Sequence, residues 1–167
     1  MKRDNIVLIG MPGAGKSTLG VLVAKALNYR FLDTDLRIQE YTGQLLYETI
    51  RDKGMEEFLK IEENVLLQLD CSRTIIATGG SAVYGKKAMK HLSSLGTIVY
   101  LSLPYEEIEQ RVNNITTRGI AMQEGKTLRD VYEERVALYE KYADDIICCE
   151  GRSIEECVAA VFALGQT

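Results

Sequence analysis

The chain has 167 residues, 46% hydrophobic and 26% charged, with a formal net charge of −4. That balance describes one soluble globular domain with a core of ordinary size and excludes a fibrous or disordered chain. It carries no long basic run, signal peptide or apolar stretch of membrane-spanning length, so neither a nucleic acid nor a membrane is expected as a partner.

In chain order, Asn5-Ile6-Val7-Leu8-Ile9 is a short apolar run that reads as a buried strand. It leads into Gly10-Met11-Pro12-Gly13-Ala14-Gly15-Lys16-Ser17-Thr18, which matches G-x-x-x-x-G-K-[ST]. Leu19, Leu22, Val23, Ala26 and Leu27 then repeat at helical spacing. Strand, glycine-rich loop and helix in this order make a phosphate cradle: the glycines let backbone N–H groups converge on phosphate oxygens, and the helix N-terminus adds partial positive charge. Gly13, Ala14, Gly15, Lys16, Ser17 and Thr18 are therefore expected to bind ATP. Lys16 reaches the β- and γ-phosphates, and the Ser17 hydroxyl takes Mg²⁺.

A second strand is predicted over 29–32, ending at Asp33-Thr34-Asp35. Helices follow at about 35–42, 44–52 and 55–69, with Gly43 and Gly54 as stops. In the third of these, Phe58, Ile61, Val65 and Leu69 form an apolar stripe. A buried strand at 74–78 closes on Gly79-Gly80, and a helix near 85–94 leads to a strand at 97–101. Pro104 starts another helix, with Tyr105, Ile108 and Val112 on one face. Residues 115–126 lack a stable period and read as a mobile lid. A helix at 127–142, a strand at 145–149 and a helix at 153–164 complete the chain. Strands alternating with helices give an α/β fold: a five-stranded parallel sheet in a three-layer αβα sandwich with right-handed crossovers, of the kind used by phosphate-loop kinases. Ligands of such sheets bind at the carboxyl ends of the strands. The phosphate loop, Asp33 with Asp35, and Gly79-Gly80 all lie there.

Asp33 and Asp35, two apart at a strand end, are read as extended and facing one side. Phosphoryl transfer uses such carboxylates to hold Mg²⁺ and to accept the acceptor's proton. Asp35 also reads as the N-cap of the next helix. Gly79 and Gly80 either allow close backbone approach to a ligand or form a plain turn. In the helix 127–142, Leu128, Val131, Leu138 and Tyr142 define the apolar stripe, and Arg135 falls on it. A charge there needs a partner or a ligand, which points to anion recognition. Arg118 sits in the lid, where an arginine either closes onto transferring phosphates or is simply solvated. Arg111 and Arg152 are candidates to flank an adenine ring. Cys71, Cys148, Cys149 and Cys157 form no C-x-x-C and are not paired with the single His91 at metal spacing. They read as buried free thiols in a reducing cytosol, and a cytoplasmic location is expected.

With these residues assembled, the chain resembles the shikimate kinases nearly end to end. Gly10 to Thr18 is similar to the family's phosphate loop, and Phe31-Leu32-Asp33-Thr34-Asp35 to its F-x-D-x-D element. Gly54-x-x-x-Phe58 with Glu62 resembles its substrate-domain helix, and Ala77-Thr78-Gly79-Gly80 most of its A-T-G-G-G turn. Arg118 falls where its lid motif begins, and Glu134-Arg135 with Tyr139 is similar to E-R-x-x-x-Y. The resemblance implies Mg²⁺-dependent transfer of the γ-phosphoryl group of ATP to shikimate, giving 3-phosphoshikimate in aromatic amino acid biosynthesis. By the same resemblance, Asp33 binds Mg²⁺ through water and Asp35 binds the acceptor hydroxyl as base. Arg118 touches the ATP phosphates, Arg135 binds the acceptor carboxylate, and Arg111 and Arg152 line the adenine.

The departures fall on the acceptor side. Leu59 stands where the family has a second carboxylate-binding arginine, and Ser81 where it has a third glycine. Glu62, which pairs with that arginine in the family, is expected to lack its partner here and to face the acceptor pocket. The acceptor set is therefore Asp35, Leu59, Glu62, Gly79, Gly80, Ser81 and Arg135, with about 34–70 as the acceptor-binding helical region of a monomer. Other readings are a kinase of the same fold for a hydroxy amino acid or sugar acid, a nucleoside monophosphate kinase, and a nucleotide-binding regulator without catalysis.

Overall fold

The computed structural model describes residues 4–113, 120 and 122–167. Among them, five parallel strands form one sheet in the order β2-β3-β1-β4-β5. The strands are β1 (Asn5–Ile9), β2 (Arg30–Asp33), β3 (Thr74–Ala77), β4 (Gly96–Ser102) and β5 (Asp145–Cys148). The helices are α1 (Lys16–Leu27), α2 (Thr34–Thr42), α3 (Leu46–Lys53), α4 (Met55–Leu67), α5 (Lys86–Leu95), α6 (Tyr105–Asn113), α7 (Leu128–Tyr142) and α8 (Ile154–Gly165), with a 3₁₀ turn at Ala82–Tyr84. This is the expected three-layer sandwich. Every residue of the central strand β1 is buried, as a parallel strand covered on both faces requires. Edge strand β5 buries only Ile147.

One buried side chain fixes the sheet at the end where the strands begin. Asn5, 2% exposed, donates from Nδ2 to the carbonyls of Cys71 (2.7 Å) and Leu95 (2.9 Å). Its Oδ1 accepts the Thr74 N–H at 3.0 Å. The amide thus ties β1 to the lead-ins of both neighbours, with its hydrogen-bonding groups satisfied as a buried amide must be.

The main core lies on the sheet. A second, smaller cluster of Ile38, Phe58, Ile61 and Val65, flanked by Leu46, Ile50, Met55 and Leu59, holds α2, α3 and α4 together. The expected stripe on α4 is present, although the helix ends at Leu67 and Leu69 is buried just beyond it.

Three sequence expectations are corrected. Strand β2 runs to Asp33 and α2 starts at Thr34, so Asp33 and Asp35 are not joined by extended backbone. Asp33, not Asp35, is the N-cap: its Oδ1 accepts the Asp35 N–H at 2.9 Å. Of the four free cysteines only Cys149 and Cys157 are buried; Cys71 is half-buried, and Cys148 is exposed because it lies on the edge strand β5.

Candidate active site

The phosphate loop takes the shape its glycines permit. Gly13 (φ 83°) and Gly15 (φ 92°) adopt left-handed conformations that a side chain would strain. Gly15 caps α1 without any side-chain bond, so the first amides of the helix point into the loop. Lys16 is buried, and its ammonium donates to the carbonyls of Gly10 (2.7 Å) and Met11 (2.8 Å). The Ser17 hydroxyl donates to Asp33 Oδ2 at 2.8 Å, bringing the end of β2 to the loop.

Across the loop stands the turn after β3. Thr78 donates through Oγ1 to the Leu8 carbonyl at 2.8 Å, which fastens the turn to β1. A Cβ on Gly79 would lie 2.7 Å from Asp35 Oδ1 and 3.1 Å from Glu62 Oε2. A Cβ on Gly80 would lie 2.6 Å from Pro12 Cδ and 2.9 Å from Arg135 Nη1. Glycine at these two positions is thus a matter of space: α2, α4, the phosphate loop and α7 converge on one stretch of backbone.

Glu62 differs from expectation. It is buried (2% exposed), and its Oε1 accepts the Ser81 hydroxyl at 2.6 Å. The residue in place of a third glycine therefore partners the glutamate across the turn. Among the described residues Oε2 has no hydrogen-bond partner. Burial pushes the Glu62 carboxyl up to about 7, helped by the Asp35 charge and opposed by the Ser81 bond and the Arg135 charge.

Arg135 is 1% exposed. The buried stripe of α7 is Val131, Arg135 and Tyr139, with Leu128, Leu138 and Tyr142 partly buried beside it. The Tyr139 hydroxyl donates to the Gly80 carbonyl at 2.6 Å, and its ring stacks on Tyr100. Tyr84, at the end of the 3₁₀ turn, accepts the Arg135 Nε–H at 3.3 Å, with the guanidinium carbon 5.3 Å from its ring centre. No motif or periodicity had singled out Tyr84.

Lys16, Ser17, Asp33, Asp35, Gly79, Gly80, Ser81 and Arg135 all face one cavity of about 570 Å³. Pro12, Gly13, Gly15 and Thr18 complete its phosphate-loop side, while Leu45, Leu46, Ile50 and Phe58 give it an apolar flank. Ala14, within the loop, is buried. Leu59 and Glu62 are not in the cavity wall: Leu59 packs into the α2–α4 cluster, and Glu62 lies behind Ser81 and Gly79. Arg111 reaches the loop, donating from Nη1 to the Gly13 carbonyl at 3.0 Å. Arg152 is exposed in the turn between β5 and α8. Arg118 lies outside the described residues, as does most of the first half of the expected lid.

Comparison with known proteins points to one family. The shikimate kinase family model matches residues 12–164. A shikimate kinase of Rippkaea orientalis is 36% identical over 160 residues, covering 94% of this chain and 85% of its own length. One from a Nostoc species is 39% identical over 160 residues, covering 93% and 86%. The solved structure of the Acinetobacter baumannii shikimate kinase in complex with shikimate superposes with a TM-score of 0.88 at 30% identity, covering 96% of this chain and 92% of that one.

Proposed function

The chain belongs to the shikimate kinase family, and from that premise we propose that it transfers the γ-phosphoryl group of ATP to a hydroxyl of shikimate, giving ADP and 3-phosphoshikimate. The observation that carries this reading is one cavity lined by the phosphate loop, by Asp35 and by the buried cation of Arg135. A phosphate cradle and an anion reader facing one cavity suit an acceptor that carries both a hydroxyl and a carboxylate.

The division of labour proposed here combines these positions with the family resemblance. The loop amides and Lys16 receive the β- and γ-phosphates. Arg135 takes the acceptor carboxylate and thereby turns a hydroxyl toward Asp35, which accepts that hydroxyl's proton as the new P–O bond forms. Ser17 and Asp33 suit Mg²⁺, a hard cation that prefers oxygen ligands. Because the Ser17 hydroxyl spends its proton on Asp33, its lone pairs remain for the ion. Bound Mg²⁺ would neutralise charge on the phosphates. Arg118, outside the described residues, is assigned to the same phosphates, and Arg111 with Arg152 to the adenine. In this reading the chain is a single-domain cytoplasmic monomer, with α2–α4 forming the acceptor side and 115–126 the lid. Among the described residues, no helix is long and apolar enough to cross a membrane.

A second reading, another small hydroxylated acceptor, is favoured by one observation: among the described residues Arg135 is the one arginine in the cavity wall, and Leu59 lies in an apolar cluster instead. A coupled ADP-release assay over shikimate, hydroxy amino acids, gluconate-like acids and nucleoside monophosphates separates the two. Shikimate is expected to give the highest kcat/KM. Turnover of another acceptor with none of shikimate would replace the first reading with the second.

A further inference from the structure

Arg135 can only donate hydrogen bonds, and a carboxylate can only accept them. The Tyr84 hydroxyl oxygen accepts the Arg135 Nε–H at 3.3 Å. The ring of Tyr84 contacts the guanidinium as well, with 5.3 Å from its centre to Cζ. Burial holds the Tyr84 phenol above its ordinary value, so it stays neutral.

We propose that Tyr84 is a positioning residue for the acceptor site: it fixes the plane of the Arg135 guanidinium so that the edge facing the cavity is presented to the acceptor carboxylate. The inference rests on the reading of Arg135 as the carboxylate contact. A planar fork binds a carboxylate through two parallel bonds only when its plane is set. An arginine on a helix buried side by side with apolar residues has four side-chain torsions to lose. Holding Nε from the far side removes much of that freedom before the acceptor arrives. Glycine at 80 leaves the room in which this fork lies.

The test is steady-state kinetics of Tyr84→Phe and Tyr84→Met with shikimate as acceptor. Phenylalanine keeps the ring and removes the anchor for Nε. For Tyr84→Phe the KM for shikimate is expected to rise about fivefold to twentyfold, with kcat and the KM for ATP within about twofold of the native enzyme. Tyr84→Met, which removes the ring as well, is expected to move the same constant in the same direction by at least as much, and it carries the test alone if Tyr84→Phe does not fold. An unchanged shikimate KM, or equal losses in all three constants, overturns the proposal while leaving the function standing. If the native protein turns over no shikimate, the functional reading fails and this inference falls with it.

Discussion

The Ser81 hydroxyl donates to the buried carboxyl of Glu62 at 2.6 Å, and this bond fastens the turn after β3 to α4. The two residues form a unit across the back of the cavity. Removing the donor leaves Glu62 with neither oxygen paired among the described residues. Ser81→Ala should therefore lower unfolding stability by about 1–3 kcal/mol, the cost of an unsatisfied buried acceptor. Urea denaturation checks this; a variant as stable as the native protein would mean the carboxyl relaxes to another partner.

The same burial makes stability depend on pH. Glu62 titrates near 7 in the fold against an ordinary value of 4.5. The folded state therefore binds its proton more tightly than the unfolded chain does. The resulting stabilisation is complete below about 4.5 and is lost as pH rises to about 7. Glu62→Gln cannot ionise and escapes this loss. Its stability relative to the native protein should improve between pH 4.5 and 7.5 by up to about 3 kcal/mol. Unfolding titrations across that range decide it, and a difference independent of pH would show that Glu62 is charged throughout.

Asp33 carries two duties that substitution can separate. Its Oδ1 caps α2, and its Oδ2 accepts from Ser17. Asp33→Asn keeps a cap and removes the charge; Asp33→Ala removes both. The alanine variant should lose about 1 kcal/mol more stability than the asparagine variant. Both should need more Mg²⁺ for half-maximal activity. Equal Mg²⁺ dependence in the native and asparagine enzymes would remove Asp33 from the metal site.

Gly80 separates Pro12 of the phosphate loop from Arg135, with 2.6 and 2.9 Å available to a Cβ. Gly80→Ala must push the two apart. Misplacement of reacting groups by a fraction of an ångström to an ångström is costly, and kcat/KM should fall at least about tenfold. Near-native kinetics in the alanine variant would show the loop and α7 to be free to separate.

Leu59 packs with Phe58, Ile61 and Val65 on the α2–α4 cluster. Leu59→Arg should therefore lower stability by about 1–3 kcal/mol. It also places a cation one helical turn from Glu62. The KM for shikimate should fall by up to about tenfold if a second cation helps to hold the carboxylate. A KM that stays where it was would show that Arg135 alone sets carboxylate affinity.

The residues legible from sequence were those whose chemistry constrains the local backbone or pattern. A phosphate loop needs glycine at fixed spacing, and a charge on an apolar stripe stands out, so Lys16, Ser17 and Arg135 were visible at once. Asp33 and Asp35 were visible as acids, but which of them capped α2 was not, because the end of a short strand and the start of a helix look alike over three residues. The pairings that shape the acceptor wall were hidden for another reason. Ser81 meets Glu62 across 19 residues of chain, and Tyr84 meets Arg135 across 51. Neither contact obeys a helical or strand period, and both arise only once the sheet has set its neighbours side by side.

That alignment begins with Asn5. The phosphate loop leaves β1 just past the level at which β3 gives way to Thr78 and Gly79, because Leu8 pairs with Ala77 and Ile9 with Tyr100. A one-residue slip of β1 would lift the cradle out of step with both Gly80 and Asp35. It would also tear a buried amide from three backbone partners at once. An amide at the opposite end of the strands from the chemistry thus acts as its alignment pin: a change at Asn5 should show up less as a local defect than as an enzyme whose two half-sites no longer meet at the same height.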